Sequence, residues 1–226
     1  KPAEVAAAAA DELAIYIDRM IDIKNAKPED DLMTRLVVDQ LNTGALSRSE
    51  VVGIARLILI AGHDTTANMI ALSSLALLNN PDQLELLKSD PSPAVLSNAV
   101  DELFRYVSVT HTGRRRVAIE DIEVNGQLIR AGEGVIIMTS IADRDEAFFP
   151  DAARLDLKRE NASKLMTFGS GTHRCMGAFL AKVEMEVFHS TLWRRLPSLK
   201  LAADPLSLSY RESAVVYGVD SIPVTW

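Results

Sequence analysis

Cysteine is all but missing from this chain: Cys175 is the only one in 226 residues. No intramolecular disulfide can form, and a zinc site built from several cysteines is excluded. A reducing, cytoplasmic setting is the expectation. A basic surplus is also missing. Lysine and arginine total 24 against 31 aspartates and glutamates, a net charge of −7. Nonspecific nucleic-acid binding, which replaces counterions with basic side chains, is disfavoured. No apolar run approaches the ~20 residues of a membrane-spanning helix. The longest, around Leu57–Gly62, meets His63 and Asp64 directly after. There is no secretory signal pattern, no internal repeat and no initiating methionine, since the first residue is Lys1. A processed or truncated chain is therefore expected.

What is present suffices for a sizeable core, with 48% of residues hydrophobic, and no composition break divides the chain. Residues 1–226 are expected to form one portion, mainly α with small β-sheets. The alanine-rich opening leads into Asp11–Met20 at helical spacing. A short helix is expected over Leu32–Leu41. Ser47 and Glu50 have the spacing of a capping box, opening a long apolar helix to about Asn79. Pro81 and Pro93 stand at first-turn positions of two further helices, Asp82–Ser89 and one ending near Tyr106. Strands are expected at Arg116–Ile119, Ile122–Val124, Gln127–Arg130 and Val135–Met138, with Asn125-Gly126 as a hairpin turn. A last helix is expected over Ala178–Leu196, then a tail of short strands.

The lone cysteine lies in Phe168-Gly169-Ser170-Gly171-Thr172-His173-Arg174-Cys175-Met176-Gly177. Glycines permit left-handed backbone and close approach, and amides at a helix mouth favour a thiolate. Three readings stand: an inert buried cysteine, a phosphatase-type nucleophile, or an iron ligand. The second requires an arginine six residues on, where the sequence has Ala181. The ten-residue run closely resembles the haem-binding signature of the cytochrome P-450 superfamily. The resemblance implies haem b (iron protoporphyrin IX), with Cys175 as proximal iron ligand, a thiolate that favours O–O cleavage. It places Phe168 near the sulfur side, Gly177 beside the cysteine, and His173 and Arg174 near the propionates or the proximal surface.

A second segment, Ala61-Gly62-His63-Asp64-Thr65-Thr66, interrupts the long apolar helix. Threonines here can bond back to carbonyls and bend the helix, and an acid beside an alcohol suits proton relay. The plain alternative is a kink with a solvent-facing aspartate. The segment resembles the family's oxygen-activation motif, which implies that Ala61 and Gly62 face the haem and that Asp64 and Thr65 deliver protons. Glu102 and Arg105 share a helix face. On a surface such a pair contributes only ~0.2–0.5 kcal/mol. The resemblance instead implies a buried network with a later arginine, Arg154 or, fitting better, Arg159. Of the run Arg114-Arg115-Arg116, otherwise a solvated face, the resemblance assigns Arg116 to a haem propionate.

The four motifs follow the family's order but correspond to the later half of a typical member. The implied function is a monooxygenase of the soluble bacterial type. It would insert one atom of O2 into a small organic substrate, with electrons from a ferredoxin or flavodoxin. Two alternatives remain: an NADH-dependent nitric oxide reductase of the same family, and a non-catalytic haem-binding fragment that lacks the amino-terminal half as partner. The substrate cannot be read from these residues.

Overall fold

The computed structural model describes residues 2–226, which divide into two compact units, residues 2–63 and 64–226. The division falls inside the long helix α3 (Arg48–Leu78). Among the described residues no helix is long and apolar enough to cross a membrane.

In the first unit, α1 (Pro2–Ala26) precedes the single turn α2 (Leu32–Arg35). Its N-cap Asp31 accepts the Thr34 amide at 2.8 Å, the usual way an orphan first-turn donor is satisfied. The helix expected over Leu32–Leu41 changes pitch: residues Leu36–Leu41 form a π-turn, with the Asn42 amide bonding to the Val37 carbonyl at 2.9 Å. Ile21, Val37 and Val51 form the unit's small buried core. Arg48 clamps α1 onto the start of α3, reaching Asp18 at 2.6 Å and Asp22 at 2.7 Å. The capping box at the entry to α3 is reciprocal. The Ser47 amide donates to Glu50 Oε2 at 2.8 Å, and the Glu50 amide to Ser47 Oγ at 3.3 Å.

In the second unit the rest of α3 packs with α4 (Pro81–Ser89), α5 (Pro93–Tyr106) and α7 (Ala178–Arg195). Both prolines take the first helical turn, where a missing N–H costs nothing. One core joins Met69, Leu77, Leu103, Phe104, Met185 and Trp193. On α5 the run Ala99–Arg105 is continuously buried, charges included. That burial decides how Glu102 and Arg105 must be paired.

Among the described residues the second unit also holds three two-stranded sheets. β1 (Arg114–Val117) pairs antiparallel with β4 (Gly134–Ile137). β1 begins two residues earlier than expected, with Arg114 paired to Ile137. Ala118 is buried and bonds instead to Gly132 and Glu133. β2 (Ile122–Val124) and β3 (Gln127–Ile129) form the expected hairpin. Asn125 and Gly126 both take positive φ, 50° and 77°, the conformation an Asn-Gly hairpin turn favours. The one-turn helix α6 (Thr139–Ala142) follows β4, and β5 (Lys200–Leu201) pairs with β6 (Val224–Thr225) in the tail.

Candidate active site

The loop before α7 is built to present Cys175. Its first residue, Phe168, is half-buried and packs on Phe104 of α5 with ring centres 4.8 Å apart. The Phe168 carbonyl accepts the Cys175 amide at 2.8 Å, which closes the loop. Between them Gly169 and Gly171 take φ of +71° and +70°, left-handed conformations that a side chain disfavours. Gly177 stands beside the sulfur: a Cβ there would lie 3.9 Å from Cys175 Sγ, an ordinary contact. The Cys175 thiol is exposed, so the inert buried cysteine is excluded. Its neighbours Met176 and Phe179 are about four-fifths exposed, at 81% and 80%.

This donor set fits a haem. Among the described residues no group of three His, Cys, Asp or Glu side chains can hold a metal ion. A single exposed thiol therefore suits an iron whose other ligands come from a porphyrin. The propionates would need cationic donors near the loop. Arg116 is exposed and donates only to the Arg115 carbonyl, at 2.8 Å. Arg114, two residues back on the same strand face, stands closer to the loop: a Cβ on Gly169 would lie 3.8 Å from its guanidinium carbon. Its Nη1 donates to Thr139 Oγ1 at 3.4 Å. His173 ends a one-turn 3-10 helix, Gly171–His173, and is exposed, as is Arg174.

On α3, Ala61 and Gly62 are exposed, and a Cβ on Gly62 would meet no atom within 4 Å. Asp64 and Thr65 are partly buried. Asn68, one turn on, donates its amide to the Asp64 carbonyl at 2.7 Å and to Asp64 Oδ1 at 2.9 Å. Arg211 from the tail bonds to Asn68 Oδ1 and approaches Asp64 Oδ1 at 3.9 Å. Gly218 makes room for this cluster, since a Cβ there would fall 1.8 Å from Asn68 Oδ1. The acid is thus held rather than free in solvent. Sequence reasoning missed Asn68, Arg211 and Gly218. The first had a signal, its one-turn spacing from Asp64; the other two had none, being far away in the chain.

Glu102, Arg105 and Arg159 come together in the interior, 0%, 1% and 7% exposed. Arg105 grips both Glu102 oxygens, Nε at 2.7 Å and Nη2 at 2.8 Å. Arg159 Nε lies 3.1 Å from each of them, and the Asp156 amide adds a bond at 3.0 Å. The remaining guanidinium hydrogens go to the carbonyls of Asp143, Pro150, Asp151, Ala152 and Arg154. Arg154, the other candidate for the network, supplies only its carbonyl. Two buried cations share one carboxylate, and the surplus charge is spread over backbone oxygens. The network thereby pins the irregular segment between α6 and the cysteine loop onto α5.

A further buried polar group carries no chemistry but helps fix α7. His189 is 1% exposed, and burial pushes its pKa down to about 3. Trp193 Nε1 donates to His189 Nδ1 at 3.1 Å. The indole nitrogen can only donate, so the imidazole hydrogen sits on Nε2 and is given to Ser73 Oγ at 3.0 Å. Ser73 passes its own hydrogen to the Ile70 carbonyl at 3.1 Å.

Comparison with known proteins agrees with this geometry. Residues 93–209 match the family model described as Cytochrome P-450. Pentalenic acid synthase of Streptomyces avermitilis is 44% identical over 95% of this chain and 52% of its own length. Vitamin D3 dihydroxylase of Streptomyces griseolus is 43% identical over 99% of this chain and 54% of its own. Among solved structures, the mycinamicin VIII C21 methyl hydroxylase MycCI of Micromonospora griseorubida, bound to mycinamicin VIII, superposes with a TM-score of 0.89. It is 40% identical over 95% of this chain and 54% of its own. The chain spans about half the length of the relatives it matches. With the signature loop, the buried Glu102 network and near-complete coverage by such relatives, the chain belongs to the cytochrome P-450 family, whose members bind haem b.

Proposed function

We propose that this chain is the iron-ligating part of a haem-thiolate monooxygenase that inserts one atom of O2 into a small organic substrate. The observation that carries the reading is the exposed Cys175 thiol on a loop closed by its own amide, with Gly169 and Gly171 in left-handed backbone between. Bound there, haem supplies the redox-active iron at which dioxygen is activated. Cys175 would hold that iron through Sγ. Phe168 shields the sulfur side, and Arg116 and His173 bind the propionates. Ala61 and Gly62 keep the haem-facing role that the resemblance gives them. Asp64 and Thr65 would relay protons into the site, with Asn68 and Arg211 orienting the acid. The hydroxylases and synthase among the relatives support an organic substrate. The exposed cation Arg174 suits an acidic electron donor such as a ferredoxin or flavodoxin, whereas Lys182 pairs with Asp101.

The test is the absorption spectrum of the reduced, carbon-monoxide-bound protein reconstituted with haem. The red-shifted Soret band of thiolate ligation is expected, and Cys175→Ser should abolish it. A thiolate band that survives Cys175→Ser would remove the ligand assignment. Haem uptake with that band but no turnover would make the chain a binding portion only.

A further inference from the structure

Asp143 ends α6 with its side chain fully buried, 0% exposed. Its Oδ1 accepts the Met166 amide at 2.5 Å, and its Oδ2 lies 2.7 Å from Thr167 Oγ1. Thr167 Oγ1 also lies 2.8 Å from the Phe104 carbonyl oxygen. That carbonyl is in the last turn of α5, where helix carbonyls need outside partners. A hydroxyl has one hydrogen, yet here it faces two oxygens at bonding distance. A carbonyl cannot donate, so the missing hydrogen has one available source, the carboxyl of Asp143.

We propose that Asp143 keeps its proton in the folded protein and donates it from Oδ2 to Thr167 Oγ1, so that Asp143 is a positioning residue for the Cys175 loop. The Thr167 hydrogen then goes to the Phe104 carbonyl, and the chain Asp143–Thr167–Phe104 ties the residue before Phe168 to α5. The proposal concerns a residue outside the haem-thiolate site, but its bearing on the loop rests on that reading. The surroundings favour the neutral acid. Arg105 bonds to the Asp143 carbonyl rather than its carboxyl, and is committed to Glu102. Arg144 donates to the carbonyls of Tyr106 and Ala152. Burial raises the Asp143 pKa, outweighing the Met166 and Thr167 hydrogen bonds and the Arg105 charge, which all lower it.

Asp143→Asn keeps the shape. Its amide donates to Thr167 and its oxygen accepts from Met166, with no proton to lose. A raised folded-state pKa means that wild-type stability declines as pH rises from the unfolded carboxyl value through the folded one. Asp143→Asn is therefore expected to shift the urea midpoint upward relative to wild type at pH 8, with the advantage shrinking toward pH 4. An infrared difference between wild type and Asp143→Asn at pH 7 should show the C=O stretch of a protonated carboxylic acid. A carboxylate band alone, or a midpoint lowered at pH 8 by a difference that vanishes in acid, overturns the proposal. The positioning role is read from reconstituted protein. Asp143→Leu should lose the thiolate fraction of the carbon-monoxide spectrum and Asp143→Asn should keep it; equal spectra overturn that role. The infrared and urea measurements need no haem, so a wild type without the thiolate band would sink the Cys175 reading while Asp143 is still decided.

Discussion

His189 makes stability depend on acid in a way that can be worked out from its surroundings. The folded protein holds the imidazole neutral, with its pKa pushed down to about 3 by burial, while the unfolded chain releases it near the ordinary value of about 6.5. Between those values the unfolded chain binds one more proton than the folded one, so stability rises with pH through this window and levels off above it. The contribution is fully present at pH 7.5. At pH 5 about 1.5 pH units of it are lost at roughly 1.4 kcal/mol each, or about 2 kcal/mol. With a urea dependence of about 2 kcal/mol per molar, the midpoint falls by about 1 M. The assay is urea unfolding at pH 7.5 and pH 5 for wild type and His189→Gln. The variant loses stability at both pH values, because Trp193 or Ser73 is left short of a partner. What matters is the slope between them, which should be flatter in the variant by about 2 kcal/mol. Equal slopes would refute the reasoning, because they would mean that His189 protonates in the folded state at no cost.

Glu102→Ala should destabilise the second unit by about 3–5 kcal/mol, since two buried guanidiniums lose their shared carboxylate; chemical denaturation reads this directly, and a loss under 1 kcal/mol would mean that backbone carbonyls alone satisfy both arginines. Gly218→Ala should cost about 1–3 kcal/mol as its methyl displaces Asn68, and thermal unfolding checks it. Ser47→Ala removes one half of the capping box at the entry to α3 and should cost about 1 kcal/mol, measured as the loss of helical circular dichroism against urea.

The local rules made much of this fold legible. Ser47 with Glu50, Pro81, Pro93 and Asn125-Gly126 each announce a structure that neighbouring backbone atoms can satisfy unaided. The cysteine loop was legible for a similar reason, because its glycines mark backbone that only glycine adopts readily. The groups that were not legible are those whose meaning depends on a distant partner. Asp143 stands in an Ala-Asp-Arg-Asp run that resembles a recurrent family segment but gives no sign of its partners. Only Met166 and Thr167, brought beside it by the fold, turn it into a buried acid. Gly218 and Arg211 acquire a role only through Asn68. Arg114 and Arg116 lie between these cases. The family resemblance singles out Arg116, but their shared strand face sets Arg114 against Gly169. The contact with Thr139 holds that guanidinium over the loop, while Arg116 is turned to solvent. The two arginines therefore differ in setting: Arg114 lies against the glycine turn, and Arg116 faces solvent.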